Sequence, residues 1–424
     1  MFKFTRVYSK NFLTFDAIEL KTQTQLNEIC FKMDYQAHFL HAIDQTKKEA
    51  RYRIFRELLR NHEFPKTKLI EDNSARDITL WCGVDYLGLS QHPILKKAMV
   101  RAVEDFGVGS GGTRNIGGNI HQHVLLERAL AKLHQQEAAL LFTSGYVANE
   151  ATLKTLGHLV PGITFVSDQE NHMSIIEGIR GSGGHKVIFA HNDLADLESK
   201  LAALALDAPK MIVFESVYSM SGTIAPVKEI IALAKKYQAL TYIDEVHALA
   251  VYGAHGGGIS ELTGTAPDID IIQGTLSKGF GLSGGYIAGN SQIIDALRLN
   301  ANGFIFTTSL PPQISITALV ALDLDLPPLQ QQLFEVVTYL KTELIKAGLK
   351  ILPSDSHIIP LWIGDATLCA SASKRLLDEF AIYIQPINYP TVRRGEERFR
   401  ISPTARHTLN DARQLLEALK ICLL

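Results

Sequence analysis

The sequence predicts an α/β fold: a large domain on a mostly parallel seven-stranded sheet, followed by a smaller C-terminal α/β domain. Three observations carry this. Short β-rich runs alternate with helical stretches through the middle of the chain. Those runs are apolar at nearly every position, as in strands covered on both faces by helices. Polar clusters follow run after run, at the place where an open parallel sheet binds its ligands.

The elements follow in order. From Met33 to Arg60, Phe39, Leu40, Ile43, Ala50, Ile54, Phe55, Leu58 and Leu59 recur at spacings of about three and four, which predicts a helix. "ITLW" (78–81) reads as the first strand, and helices are predicted over 92–106 and 122–134. Strand candidates then come at 139–143, 163–167, 186–190, 211–215, 240–244 and 269–273, with helices at 193–205 and 226–238 between them. "GGYIAG" (284–289) is expected to add one more strand. Pro327 and Pro328 are expected to interrupt the next helix, and helices over 330–347, 370–380 and from Asn410 flank "SHIIPLWIG". The expected division is an N-terminal extension and helical segment over 1–80, a large domain over 81–325 and a small domain over 326–424.

Composition narrows the function classes. The chain has 424 residues, 42 basic and 44 acidic side chains and 46% hydrophobic residues, giving a formal charge of -2. A near-neutral charge gives no reason to expect nucleic acid or an anionic membrane as a partner, and no apolar run is long enough to span a bilayer. Cys30, Cys82, Cys369 and Cys422 are scattered, which speaks against a zinc site or a disulfide scaffold. The first 32 residues mix basic and acidic side chains, unlike most transit peptides. The cytoplasm is the expected location, with the mitochondrial matrix as the alternative.

Candidate chemistry sits at the strand ends. Lys278 lies in "GTLSKGFG", and a deprotonated lysine forms Schiff bases with carbonyls. Its flanking glycines would let a planar ligand approach. Asp244 closes "LTYI"; a carboxylate against a pyridine nitrogen keeps that nitrogen protonated. Taken alone it reads equally as a cap or a buried structural acid, but with Lys278 two strand ends later it predicts pyridoxal phosphate. His172 and His247 follow other strands and suit stacking on the ring or bonding to its phenolic oxygen. Ser144, Gly145, Ser216 and Ser219 also follow strand ends. "GVGSGGTRNIGG" (107–118) lacks the P-loop ending and the dinucleotide fingerprint, yet offers Thr113, Arg114 and Asn115 as anion contacts. In "RRGEERFRISP" (393–403), either a solvated charge run or a carboxylate clamp is possible.

Together "GSGGTRNIGG", "NHMSIIEGIR", "FESVYSM", "YIDEVHA", "GTLSKGFG", "GFIFTTSLPP", "SHIIPL", "IQPINYPTV" and "ERFRISP" resemble the α-oxoamine synthase family of fold-type I pyridoxal-phosphate enzymes. "IQPINYPTV" and "GFIFTTSLPP" resemble its aminolevulinate branch. The resemblance runs from about Met33 to the C-terminus. It implies a homodimer with shared active sites that condenses glycine with succinyl-CoA, the first step of tetrapyrrole synthesis. It also implies residue roles. Lys278 would carry the cofactor as a Schiff base and act as acid and base, with Asp244 at the pyridine nitrogen and His172 stacked on the ring. His247 and Ser219 would meet the phenolic oxygen. Ser144, Gly145, Tyr146 and Thr275 would hold the phosphate from one subunit, and Thr307 and Thr308 from the other. Arg400 would hold the glycine carboxylate. Arg53, Thr113 and Asn115 would read the succinyl carboxylate; Tyr86 and Arg114 match positions near the cofactor, and Arg114 and Ser167 would contact the substrate.

The chain departs from the family at Val84, where asparagine is usual and valine cannot donate a hydrogen bond. It also has Ser221 in place of Asp, and Arg393 in place of Pro. Val84 keeps open a related synthase using another amino acid or acyl-CoA. A cofactor-binding partner without catalysis is the reading from a different class.

Overall fold

A computed structural model describes residues 34–49 and 51–424. Two units divide between Tyr52 and Arg53. In the first, a helix spans Tyr35–Lys48; the Asp34 side chain accepts from the Ala37 N–H, and Lys47 and Lys48 face the negative end of the helix dipole.

The helix expected to reach Arg60 is therefore shorter, and Met33 and Ala50 lie outside the described residues. Glu57–Arg60 is instead a strand, β1, antiparallel to β2 (Lys66–Glu71), which pairs with β3 (Ser74–Leu80). Ile54, Phe55, Leu58 and Leu59 satisfied a helical spacing, but Leu58 packs beside Phe64, Leu69 and Ile78 under the sheet. Tertiary pairing overrode local periodicity.

The second unit is organised by seven strands: β4 (Ala138–Phe142), β5 (Thr164–Asp168), β6 (His185–Phe189), β7 (Lys210–Glu215), β8 (Leu240–Asp244), β9 (Ile271–Thr275) and β10 (Gly285–Gly289). Their order is β4-β10-β9-β8-β7-β5-β6. β10 runs antiparallel to both β9 and β4, while the other neighbouring pairs are parallel. Six strands thus point one way and share one carboxyl edge. Every residue of β5, β7, β9 and β10 is buried. Helices cover both faces, and each fully buried Ile or Val, such as Ile243 or Ile272, contributes about 1.5–3 kcal/mol of transfer free energy.

The remaining strands are β11 (Ile359–Trp362), β12 (Ile382–Tyr383), β13 (Pro386–Ile387) and β14 (Arg398–Ile401). β11, β14 and β13 form a three-stranded sheet, and β12 adds in parallel to β3. Pro327 and Pro328 do not interrupt a helix; they open the one spanning Pro327–Lys346. The first turn of a helix has no N–H partners to lose, so proline is tolerated there.

Candidate active site

The shared carboxyl edge brings Ser144, Ser167, His172, Ser219, Asp244, His247, Thr275 and Lys278 to one side of the sheet. Asp244 ends β8 and is buried. Its Oδ2 accepts from Asn149 Nδ2 at 2.7 Å and its Oδ1 from the Val246 N–H at 2.8 Å. The Tyr242 hydroxyl donates to Asn149 Oδ1 at 2.7 Å, so the amide is held in that orientation. Asn149 and Tyr242 escaped sequence reasoning. The available signal was that Asn149 lies one helical turn beyond Ser144 and Gly145.

Lys278 follows β9 on a turn closed by the Gly281 N–H donating to its carbonyl. Burial pulls its ammonium down from the usual 10.5 to about 8, with Arg400 assisting and Asp244 and Glu215 opposing. Its Nζ lies 3.0 Å from His247 Nε2. On the other side of that imidazole, Nδ1 lies 2.7 Å from the Tyr86 hydroxyl and 3.3 Å from Arg400 Nη2. Burial, then the charges of Lys278 and Arg400, hold His247 well below its ordinary value, so it is neutral. Arg400 only donates, and it donates to the Tyr86 oxygen at 2.8 Å. The Tyr86 proton therefore goes to Nδ1, which assigns the imidazole proton to Nε2, facing the Lys278 amine.

Gly279 shows that not every glycine around the lysine serves a ligand. A Cβ there would fall 2.2 Å from the Leu249 carbonyl oxygen. That glycine is demanded by the protein's own packing.

Arg400 is on β14, buried at 6% exposure. Its Nε donates to the Ser219 carbonyl at 2.5 Å and its Nη1 to Ser402 Oγ at 3.1 Å. Among the described residues no carboxylate pairs with it. A buried guanidinium held only by neutral acceptors is an anion site.

His172 begins the helix Met173–Gly181, and its Nδ1 lies 2.7 Å from Ser174 Oγ. Burial lowers its proton affinity, against the charge of Asp244. Tyr146, half exposed, faces the His172 ring edge-on at 6.4 Å. Ser144 caps the helix Gly145–Leu159 through the Val147 N–H, leaving other first-turn N–H groups free for an anion. Thr275 Oγ1 donates to the Gly284 carbonyl at 2.8 Å, and a Cβ on Gly145 would press to 3.3 Å from Thr275 Cβ. The bare glycine keeps this cradle open. A phosphate cup, a buried carboxylate, a lysine amine that loses its proton more readily than usual and two neutral imidazoles fit pyridoxal phosphate.

Other expected residues make contacts of their own within the chain. Arg53 Nη2 donates to Thr391 Oγ1 at 2.7 Å, and Thr113 Oγ1 to Asn115 Oδ1 at 2.6 Å; no hydrogen bond joins the two groups. None joins Thr307 or Thr308 to Ser144, Gly145 or Thr275. Arg114 is committed to a bidentate pair with Glu127 at 2.8 and 3.0 Å, with its Nε on Asn119. Ser167 is buried, accepting from Asn171 Nδ2 at 2.9 Å. Val84 packs against the main core.

Sequence reasoning also passed over Glu215 and His357. Glu215 ends β7 in register with Asp244; burial, then the Asp244 charge, raise its carboxyl well above the ordinary range. Its place at a strand end, like that of Asp244, was the available signal. His357 is fully buried, with its ring 4.2 Å from that of Tyr86.

Comparison with known proteins agrees with this geometry. The aminotransferase class I and II family model matches residues 76–419. The 5-aminolevulinate synthase of Rhizobium meliloti is 49% identical over 391 residues, covering 91% of this chain and 96% of that protein. The mitochondrial 5-aminolevulinate synthase of Schizosaccharomyces pombe is 47% identical, covering 89% of this chain and 68% of that one. Among solved structures, the serine palmitoyltransferase of S. paucimobilis with bound PLP-myriocin superposes with a TM-score of 0.84 at 28% identity, covering 92% and 98% of the two chains. Fold and site define the class: a fold-type I enzyme. The chain belongs to the aminotransferase class I and II family, and within it groups with the 5-aminolevulinate synthases.

Proposed function

We propose that this chain is a 5-aminolevulinate synthase, a pyridoxal-phosphate-dependent acyltransferase that joins glycine to succinyl-CoA and releases CoA and carbon dioxide. The observation that carries the site reading is the buried, carboxylate-free Arg400, linked through Tyr86 and His247 to the amine of Lys278.

When bound, pyridoxal phosphate supplies an electron sink for negative charge at the amino-acid α-carbon. The chain's own residues do the rest. Ser144, Gly145, Tyr146 and Thr275 hold the phosphate, joined by Thr307 and Thr308 from a second subunit. Asp244 keeps the proton on the pyridine nitrogen, and Asn149 and the Val246 N–H keep Asp244 aimed. His172 would stack on the ring, and His247 and Ser219 would meet its phenolic oxygen. Lys278 anchors the cofactor through its amine, then takes and returns protons at the glycine α-carbon. A depressed ammonium suits that exchange near neutral pH. Arg400 orients the glycine carboxylate.

The new carbon–carbon bond joins the glycine α-carbon to the thioester carbonyl. CoA leaves as the thiol, and the glycine carboxylate leaves as carbon dioxide. The far carboxylate of the succinyl group needs paired burial, and Arg53, Thr113 and Asn115 supply donors for it. In this reading these groups act across a homodimer with shared sites, as the family resemblance implies. Among the described residues no helix is long and apolar enough to cross a membrane. We place the enzyme in the cytoplasm; among the described residues Cys82, Cys369 and Cys422 are free, as in a reducing compartment.

Val84 favours a second reading, a related synthase with another amino acid. A panel of amino acids against acyl-CoAs, with products identified by mass spectrometry, separates the two. Glycine with succinyl-CoA is expected to give the highest kcat/KM; a higher value for another pair would replace the assignment.

A further inference from the structure

The glycine-rich loop over 107–118 holds six glycines in twelve residues. Such a segment loses more conformational freedom on ordering than any other kind, so something must pin it. Part of the restraint is internal. The Thr113 carbonyl accepts from the N–H groups of Ile116, Gly117 and Gly118 at 3.2, 3.3 and 2.8 Å. The Arg114–Glu127 pair fastens the loop to the helix His121–Leu133.

Far along the chain, Gln313 Nε2 donates to the Val108 carbonyl at 3.3 Å, and one residue makes several further contacts. The Ser309 N–H donates to the Gly112 carbonyl at 3.1 Å. Its hydroxyl donates to the Gly118 carbonyl at 2.8 Å, with the Gly112 carbonyl 3.1 Å away. Its own carbonyl accepts from Ser110 Oγ at 3.0 Å. All three polar groups of Ser309 are therefore spent on the loop, at Ser110, Gly112 and Gly118. Immediately before it, Thr308 makes an antiparallel bridge with Thr113. On the other side of the junction Gly118 is buried, and a Cβ there would lie 2.1 Å from the Gly112 oxygen and 2.5 Å from Ser309 Oγ. The Thr307 and Thr308 hydroxyls make no hydrogen bond among the described residues and stay available for a ligand.

We infer that Ser309 is a positioning residue that locks the acyl-reading loop to the threonine pair that grips the cofactor phosphate, making the two recognition functions one rigid unit. The inference rests on the roles proposed above for Thr113, Asn115, Thr307 and Thr308. Through the bridge, the register of Thr308 sets that of Thr113. A shift at the junction moves both, while Arg400 and its glycine carboxylate site, on β14, are untouched.

The test uses the full-length protein as Ser309→Ala, Ser309→Thr and Gly118→Ala. The alanine at 309 removes the hydroxyl, the threonine keeps it, and the alanine at 118 wedges the junction from the opposite side. Four quantities are read: the dissociation constant of pyridoxal phosphate from titrated apoprotein, KM for succinyl-CoA, KM for glycine, and amide hydrogen exchange across 107–118. Losing one neutral hydrogen bond predicts that Ser309→Ala weakens cofactor and succinyl-CoA together by about three- to tenfold. Glycine KM is unchanged, amide protection across the loop falls, and Gly118→Ala behaves alike. Ser309→Thr stays near the wild type. A change in only one of the two affinities overturns the coupling, as does a parallel loss in glycine KM tracking a lower Tm. If the wild type fails to use succinyl-CoA, the functional reading fails instead. Cofactor affinity and loop protection then decide the clamp, and no change in either for Ser309→Ala overturns it.

Discussion

The Nε2 of His247 stands 3.0 Å from the Nζ of Lys278. The Tyr86 hydroxyl and Arg400 meet the other ring nitrogen, so the nitrogen facing the lysine carries the proton and donates to the lysine once its amine is neutral. Arg400, Tyr86, His247 and Lys278 form one chain from anion site to nucleophile.

That protonation state sets a pH dependence. Burial disfavours the ammonium, so the Lys278 amine becomes neutral through about 8 rather than near 10.5. Between pH 7 and 9 its neutral fraction rises from roughly a tenth to roughly nine tenths. The rate at which an uncharged acylating reagent labels Lys278 in apoprotein, followed by peptide mass spectrometry, should rise over that interval. A midpoint near 10.5 would show the amine is not desolvated as described.

Tyr86→Phe removes the hydroxyl that links Arg400 to His247. Two hydrogen bonds at a buried group are lost with almost no change in volume. A fall of about tenfold in kcat/KM for glycine follows, with little change in KM for succinyl-CoA. Steady-state kinetics with each substrate varied in turn distinguishes this from a general loss.

Arg400→Leu removes the buried guanidinium while keeping an apolar stem. Glycine then meets no cation at its carboxylate, and its KM should rise by at least about 30-fold. The pyridoxal phosphate titration of apoprotein should hardly move, because the proposed phosphate cup is at Ser144, Gly145 and Thr275. Equal losses in both would place Arg400 in the cofactor site instead.

Val84→Asn introduces a donor at a position packed against the main core. If that position faces the amino acid, the substitution should lower glycine KM by about three- to tenfold. An unchanged glycine KM, with a decrease for another amino acid in the same panel, would favour the second reading of specificity.

The sheet was legible because strands buried on both faces have no reason to alternate; β5, β7 and β9 read as apolar runs and are buried throughout. The strand ends then located Asp244, His247 and Lys278. What stayed hidden was what depends on partners distant in sequence. Leu58 and Leu59 fit a helix until β2 is present to pair with β1. Asn149 reads as an ordinary helix residue until Asp244 arrives 95 positions later. Ser309 looks like one more hydroxyl after two threonines, because its partners at Gly112 and Gly118 lie nearly two hundred residues upstream. Arg114 carried the right charge for a ligand contact, yet Glu127 takes both ends of its fork.

The most direct test of the account follows the glycine carboxylate. Purified protein loaded with pyridoxal phosphate is given succinyl-CoA and glycine labelled in its carboxyl carbon. The account predicts labelled carbon dioxide, free CoA and unlabelled 5-aminolevulinate in equal amounts, and none of them above background with Lys278→Ala. Label retained in the product, or no 5-aminolevulinate above the Lys278→Ala control, would contradict it.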